Sequence, residues 1–251
     1  MFEVAAEAYD RLMGRYSMQL APQLATLGEV RAGQRALDVG CGPGALTAEL
    51  VARLGAEAVA AVDPSEAFVE VAKARFPGVD VHHAAADKLP FGDAAFDVVL
   101  AQLVVHFMPD PVAGLRELKR VTAAGANVAA CVWDHAGERT PLSTFWRAAR
   151  ELDPEVLDES GLPGAREGQL GELFTEAGLT SVHETTVEAS LQFASFEEWW
   201  EPFTFGVGPA GAYAQTLSEP AREALRARCE LLLPTPPFTV SGTAWAARGV
   251  A

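Results

Sequence analysis

Positive charge is scarce in this chain: 19 lysines and arginines stand against 34 aspartates and glutamates, a formal charge of −15 over 251 residues. Nucleic-acid binding draws most of its affinity from clustered basic side chains, so no nucleic-acid partner is expected. Cysteine is scarce too. Cys41, Cys131 and Cys229 lie far apart, odd in number and without CxxC spacing, which argues against a disulfide framework and against a zinc site; no metal is expected. Although 49% of the residues are hydrophobic, no uninterrupted run approaches the ~20 apolar residues of a membrane span. Glu3, Glu7 and Asp10 replace the basic start and apolar run of a signal peptide, and a cytoplasmic location is expected.

What the chain does have is alternation. The apolar run ALDV (Ala36 to Val39) enters a group of glycines, and ALTAELVARL (Ala45 to Leu54) leaves them at helical spacing. AVAAVD (Ala58 to Asp63) reads as a second strand, followed by a helix that Ser65 can cap. Strands then follow over Val79 to Ala84, Ala95 to Gln102 and Asn127 to Trp133, with a helix over Val112 to Val121 before the last. Strands alternating with helices imply an α/β fold whose mostly parallel sheet is covered on both faces. Val4 to Leu27 reads as two or three short helices interrupted near Gly14 and at Pro22. After Asp134 helices are expected over Pro141 to Asp153 and Arg166 to Gly178, then a strand over Leu179 to Ser190. The aromatic stretch Ser195 to Phe205, a turn-rich patch over Gly206 to Gly211, a helix over Ser218 to Leu233 and a closing strand over Phe238 to Ala251 complete the chain. The whole reads as one domain, with a helical lid over 1–34, a core over 35–134, and helical insertions over 135–178 and 191–237.

The chemistry concentrates around Asp38-Val39-Gly40-Cys41-Gly42-Pro43-Gly44. Glycines permit a tight turn and let a ligand approach bare backbone, and in an open parallel sheet ligands bind beyond the carboxyl ends of the strands. Asp63, ending the second strand, supplies a carboxylate suited to a ribose diol, at the spacing of a nucleoside-binding βαβ unit. The glycines alone are ambiguous, because Gly40-x-Gly42-x-x-Ala45 also satisfies the looser dinucleotide fingerprint. Asp38 before the loop, and Pro43 where a pyrophosphate loop keeps its N–H groups free, favour S-adenosylmethionine.

The segment ALDVGCGPGALT resembles motif I of the class I S-adenosylmethionine-dependent methyltransferases. AVDPSEAFVEVAKARF is similar to that family's second-strand segment, and the run from AADKLPFGDAAFDVVLAQ through NVAACVW is similar to its fourth and fifth strands. The branch most resembled is the type-11 group of quinone and other small-molecule enzymes, with a specific likeness from Tyr9 to Trp133 and only a general one beyond. The resemblance implies a Rossmann-like, seven-stranded, mostly parallel sheet flanked by helices, with an N-terminal helical lid and helical insertions after strands five and six. It implies S-adenosylmethionine as methyl donor and S-adenosylhomocysteine as product.

Carried over by position, Asp38, Gly40 and Gly42 would surround the methionine part of the cofactor, with Gly44 completing the turn. Asp63 would hold the ribose, Pro64 and Ser65 would lie beside the adenosine, and Ala86 with Asp87 would border the adenine. Ala101 and Gln102 would pass the amino-acid end, and Tyr16 would be the main lid contact, with Tyr9 and Arg15 behind it. Many relatives read Gly-Asp-Ala where this chain has Ala84-Ala85-Ala86, so the carboxylate that bonds the adenine amine is missing at Ala85, and Asp87 is its substitute.

A sulfonium methyl donor is already activated, so such a protein mainly aligns a nucleophile and excludes water. Where the acceptor must lose a proton, His106 is the candidate base, since an imidazole titrates near ~6.5; a hydrogen-bonded histidine at a helix start is an equal alternative. His82 and His83, adjacent on a strand, face opposite sides and share no metal. Asp134 and His135 read as loop caps, and His183 as structural. Trp146, Trp199, Trp200, Phe203 and Phe205 either line an acceptor pocket or pack the insertions onto the sheet, the latter being favoured. The expected partner is a small acceptor, aromatic or hydrophobic, and the expected assembly a monomer or homodimer. Competing readings are the same fold with non-methylating chemistry, a non-catalytic cofactor-binding subunit, and a nicotinamide-dependent oxidoreductase.

Overall fold

The computed structural model describes residues 9–251; the expectations resting on Glu3, Val4 and Glu7 lie outside the described residues. Seven strands form one sheet in the order β3-β2-β1-β4-β5-β7-β6. They are β1 (Ala36–Val39), β2 (Val59–Asp63), β3 (Asp80–His83), β4 (Phe96–Gln102), β5 (Thr122–Trp133), β6 (Thr180–Phe193) and β7 (Phe238–Val250). β1 to β5 pair in parallel, and β7 runs antiparallel to both its neighbours, so it alone opposes the other strands. The order reverses beside β1, whose neighbours are β2 and β4. At such a point the crossovers leave on opposite faces and open a crevice at the strands' carboxyl ends. Asp38, Asp63 and Gln102 come from those three ends.

Helices cover both faces. On one, α1 (Arg15–Leu27) and α2 (Ala45–Leu54) bury Leu20, Leu24, Leu46 and Leu50 against Ala36, Val98 and Leu100. The periodicity at Ser65 was a true helix start: α3 (Glu66–Arg75) begins where the Ser65 hydroxyl accepts the Phe68 N–H. On the opposite face, α4 (Pro111–Val121) is capped by Asp110 and packs Leu115 and Leu118 on Leu37, Val39 and Val99. Between β5 and β6 come α5 (Ser143–Leu152) and α6 (Gln169–Glu176). α6 joins the second face beside α4 through Leu170 and Phe174. After β6, α7 (Phe196–Trp200), α8 (Gly208–Thr216) and α9 (Glu219–Leu232) close over the same end as α1. Among the described residues, no helix is long and apolar enough to cross a membrane.

Two local expectations are corrected. The described part of the N-terminal segment is not a set of short helices: a π-helical turn over Asp10–Gly14 runs directly into α1, and Pro22 lies inside it. Burial of Leu20, Ala21, Leu24 and Ala25 outweighs the breaker signals, since helix stability in proteins comes mostly from packing of the apolar face. The patch around Gly206 is not a turn cluster either. It contains α8, which starts with Pro209 in its first turn, and Gly211 lies so close to the Gly206 backbone that a Cβ would come within 2.7 Å.

α1 is also bonded to β6. Gln19 donates to the Ser190 carbonyl (2.9 Å) and accepts from its N–H (3.0 Å), while Gln23 does the same at Glu188 (2.7 and 3.1 Å). Each side-chain amide thus stands where a neighbouring strand's peptide would. Replacing Gln19 and Gln23 together by alanine is expected to destabilise the fold by about 1–3 kcal/mol, because each exposed bond contributes only a fraction of its gross strength. Urea denaturation checks this, and an unchanged midpoint would sink it.

Candidate functional site

The glycine loop is tied to β2 rather than left open. The N–H groups of Gly40 and Cys41 both donate to the Val62 carbonyl (2.8 and 3.0 Å), Gly42 donates to Asp63 Oδ2 (2.8 Å), and Gly44 donates to the Cys41 carbonyl (2.9 Å). Pro43 has no N–H to give. These five residues therefore hold no spare backbone donor for a pyrophosphate, which weighs against the dinucleotide alternative that the glycine spacing leaves open.

The three glycines are required for different reasons. Gly40 has φ +72°, and a Cβ there would lie 2.3 Å from Val104; at Gly44, with φ +101°, it would lie 2.2 Å from Phe76. Gly42, with φ +53°, has nothing within 4 Å of its Cβ position. Its bare backbone faces open space that a ligand can use.

Asp63 holds two segments with one carboxylate: Oδ2 accepts from Gly42 and Oδ1 from the Ser65 N–H at 2.8 Å. Burial raises its pKa, while those two bonds and His83 oppose the shift. Each oxygen keeps a further lone pair for a ribose hydroxyl. Asp38 lies deeper, 1% exposed. Its Oδ2 accepts from the Thr47 hydroxyl (2.6 Å) at the start of α2, but Oδ1 is buried without a hydrogen-bond partner. Burial pushes its pKa up to about 7, against the Thr47 bond. Gln102, ending β4, donates to the Ser17 carbonyl (3.0 Å), and its Oε1 is likewise unpartnered. Two orphaned acceptors at adjacent strand ends suit the ammonium of an amino-acid group.

Two cavities adjoin this frame. The first, with about 780 Å³ of empty space, is bordered by Gly40, Pro64, Ala86, Asp87, Val104 and Phe107. The sequence-expected Pro64, Ala86 and Asp87 thus come together with the glycine loop, and Ser65 caps α3 next to them. The second, with about 490 Å³, is bordered by Tyr9, Met13, His106, Trp133, Glu159 and the start of α8, and it shares Phe107 with the first. Among the described residues no lysine or arginine lines it.

His106 sits in a 3₁₀ turn (Val105–Phe107) after β4, 4% exposed, with Nδ1 unpartnered. Its ring lies 5.8 Å from that of His135. Burial, aided by His135, holds its pKa well below the usual imidazole value, so it is uncharged. The expected hydrogen-bonded helix-start histidine is not what is found, since Asp110 caps α4 instead.

Other expectations are redistributed. Tyr16 does not reach the site: it is 2% exposed, its hydroxyl donates to the Val240 carbonyl (3.3 Å), and its ring meets Trp133 edge-on. One helical turn and a π-turn earlier, Tyr9 lines the second cavity in its place and packs edge-on against Phe68. Arg15 turns outward to pair with Glu198. Ala101 is fully buried in the sheet's second face, away from both cavities. Asp134 does cap its loop, accepting from Gly137 (2.9 Å) and pairing with Arg139. His135 is buried beside Glu159. Trp146, Trp199, Trp200 and Phe203 pack with Phe145 and Phe196 and leave the cavity to Trp133, Phe107 and Tyr9. Glu159 and the 207–210 segment carried no periodic or motif signal in the sequence. Among the described residues no three His, Cys, Asp or Glu side chains cluster as a metal site.

Comparison with known proteins agrees with this geometry. A family model described as "Methyltransferase domain" matches residues 37–130. A Mycolicibacterium smegmatis chain named "Probable S-adenosylmethionine-dependent methyltransferase" is 32% identical over 182 residues, which cover 68% of each chain. A demethylmenaquinone methyltransferase from Clavibacter sepedonicus is 39% identical over 139 residues, or 52% of this chain and 56% of that relative's length. Among solved structures, the YcgJ protein of Bacillus subtilis superposes with a TM-score of 0.57 at 20% identity, covering 93% of this chain and 97% of that one.

The buried Asp38 carboxyl gives a test. The folded chain holds its proton more tightly than the unfolded chain, where aspartate titrates near about 3.9, so its contribution to folding falls as pH rises from about 4 to 7. Asp38→Asn, which keeps an acceptor for Thr47, is expected to gain thermal stability relative to the parent as pH rises from 5 to 8. A melting-temperature difference independent of pH would contradict a buried ionising group.

Proposed function

The chain belongs to the class I S-adenosylmethionine-dependent methyltransferases of the type-11 branch, and on that premise we propose that it methylates a small acceptor bound in the cavity beside His106. The observation that carries this reading is the adjacency of the two cavities: one borders Gly40 of the glycine loop and Pro64 beside Asp63, the other is mostly apolar, and Phe107 belongs to both.

S-adenosylmethionine, when bound, supplies a methyl group on a positively charged sulfur, already activated for displacement. Asp63 would hold the ribose, Gly42 would let the cofactor approach the loop, and Asp38 with Gln102 would meet its amino-acid end. Pro64, Ala86 and Asp87 would border the adenine. Phe107, Trp133 and Tyr9 exclude water from the acceptor side, which strengthens every polar interaction there. His106, kept neutral by burial, would accept a hydrogen bond from the acceptor at an imidazole nitrogen and orient it. Residues 1–34 serve as the lid, and 135–178 and 191–237 contribute the acceptor pocket. The acceptor is read as an aromatic or hydrophobic metabolite of the secondary-metabolism kind, and the protein as a cytoplasmic monomer or homodimer.

Calorimetry with S-adenosylhomocysteine tests the cofactor half. Binding by the parent chain, weakened at least about tenfold by Asp63→Ala, is expected; no binding would refute the reading. A labelled-methyl screen against apolar metabolites tests the other half. With an acceptor in hand, His106→Ala should lower kcat by about 10²-fold or more while leaving S-adenosylhomocysteine affinity unchanged. Full turnover by that variant removes His106 from the chemistry.

A further inference from the structure

One group on the acceptor cavity has no part in the chemistry described so far. Glu159 reaches the cavity wall from the segment between α5 and α6 and is 4% exposed. Its Oε2 accepts from the Trp146 indole N–H at 2.8 Å, and its Oε1 lies 4.0 Å from His135 Nε2, a nitrogen that is itself buried without a hydrogen-bond partner. On its other side it borders a polar crevice containing Ser143, Arg150 and Asp158. Arg150 is engaged there by Asp158 and Glu138, and Arg139 by Asp134, so neither arginine neutralises Glu159.

A carboxyl buried without a cation does little for a fold. Desolvation outweighs what one indole hydrogen bond returns, and a glutamine would keep that bond at less cost. Burial accordingly pushes its pKa up to about 7, with Asp158 adding to the effect. A group so placed has unused acceptor capacity facing a cavity whose other described lining is mostly apolar, His106 and Tyr9 being the further polar side chains there.

We infer that Glu159 selects the acceptor: its carboxyl receives the O–H or N–H of an uncharged, otherwise apolar molecule and excludes carboxylates and phosphates from the cavity. The inference rests on the reading of this cavity as the acceptor pocket. An anionic acceptor would meet like charge with no lysine or arginine among the described residues of the wall to offset it, whereas a hydroxyl satisfies the carboxyl and buries its ring against Trp133 and Phe107. Sites built to hydrogen-bond one polar group discriminate strongly against ligands that leave it unpaired.

The test compares two probes with one aromatic body, 2-naphthol and 2-naphthoate, by calorimetry at pH 8 on the full chain saturated with S-adenosylhomocysteine. Naphthol should bind at least about tenfold more tightly than naphthoate, and Glu159→Gln should shrink that ratio by at least about fivefold, chiefly by tightening naphthoate. If Glu159→Gln does not fold, Glu159→Leu carries the same comparison, since an apolar residue of similar volume removes the buried carboxyl altogether. Equal or tighter binding of naphthoate to the parent chain overturns the proposal, as does a ratio unchanged by the substitution. Binding of neither probe while S-adenosylhomocysteine still binds also overturns it; failure of S-adenosylhomocysteine itself to bind points instead to failure of the underlying functional reading.

Discussion

Two backbone amides from different segments meet on one carboxylate, and the site is organised around that meeting. Asp63 takes the Gly42 N–H on one oxygen and the Ser65 N–H on the other, so the turn leaving β1 and the turn leaving β2 are fixed to a common point. The Val62 carbonyl, one residue before, receives two more amides of the same loop. The loop's shape therefore does not depend on a ligand. Its donors are consumed by the protein, and what remains for a ligand is the open face of Gly42 and the spare lone pairs of Asp63.

Around that fixed point the chain buries more polar groups than stability alone favours. Asp38, His106, His135 and Glu159 are each under 10% exposed. Burial drives them all toward neutrality, raising the two acids and lowering the two imidazoles. These groups next to the cavities thus ionise less readily than they would in water, and each unpaired donor or acceptor there counts for more. Asp38 Oδ1, Gln102 Oε1, His106 Nδ1 and His135 Nε2 are among the buried atoms left without protein partners. Such groups are costly in a fold and are commonly retained where a ligand completes them.

Most of the frame around the glycine loop was legible in the sequence because it is local. A strand, a glycine turn and a helix need only short-range signals, and Asp63, Pro64 and Ser65 follow in one run. His106 was legible by position, four residues beyond the end of β4, and the structure adds that its Nδ1 is unpaired. What could not be read depended on tertiary packing. Gly14 and Pro22 carry breaker signals that burial overrides. Tyr9 and Tyr16 share one helical segment, and only the facing strand decides that Tyr16 goes to Val240 while Tyr9 goes to the cavity. Glu159 lies in an irregular stretch with no period at all, brought to the wall by the long excursion between β5 and β6.

The glutamines of α1 have a consequence for self-association. β6 is the last strand of the sheet, and the edge of such a strand is where a second copy would add its own. At Glu188 and Ser190 the outward amides and carbonyls are already bonded to Gln23 and Gln19. A sheet continuous across two molecules is blocked in the middle of that edge, and the opposite edge is the short β3, which carries Asp80, His82 and His83. The two glutamines of α1 thus finish the sheet with a helix at the stretch of β6 where a strand from another molecule would otherwise pair.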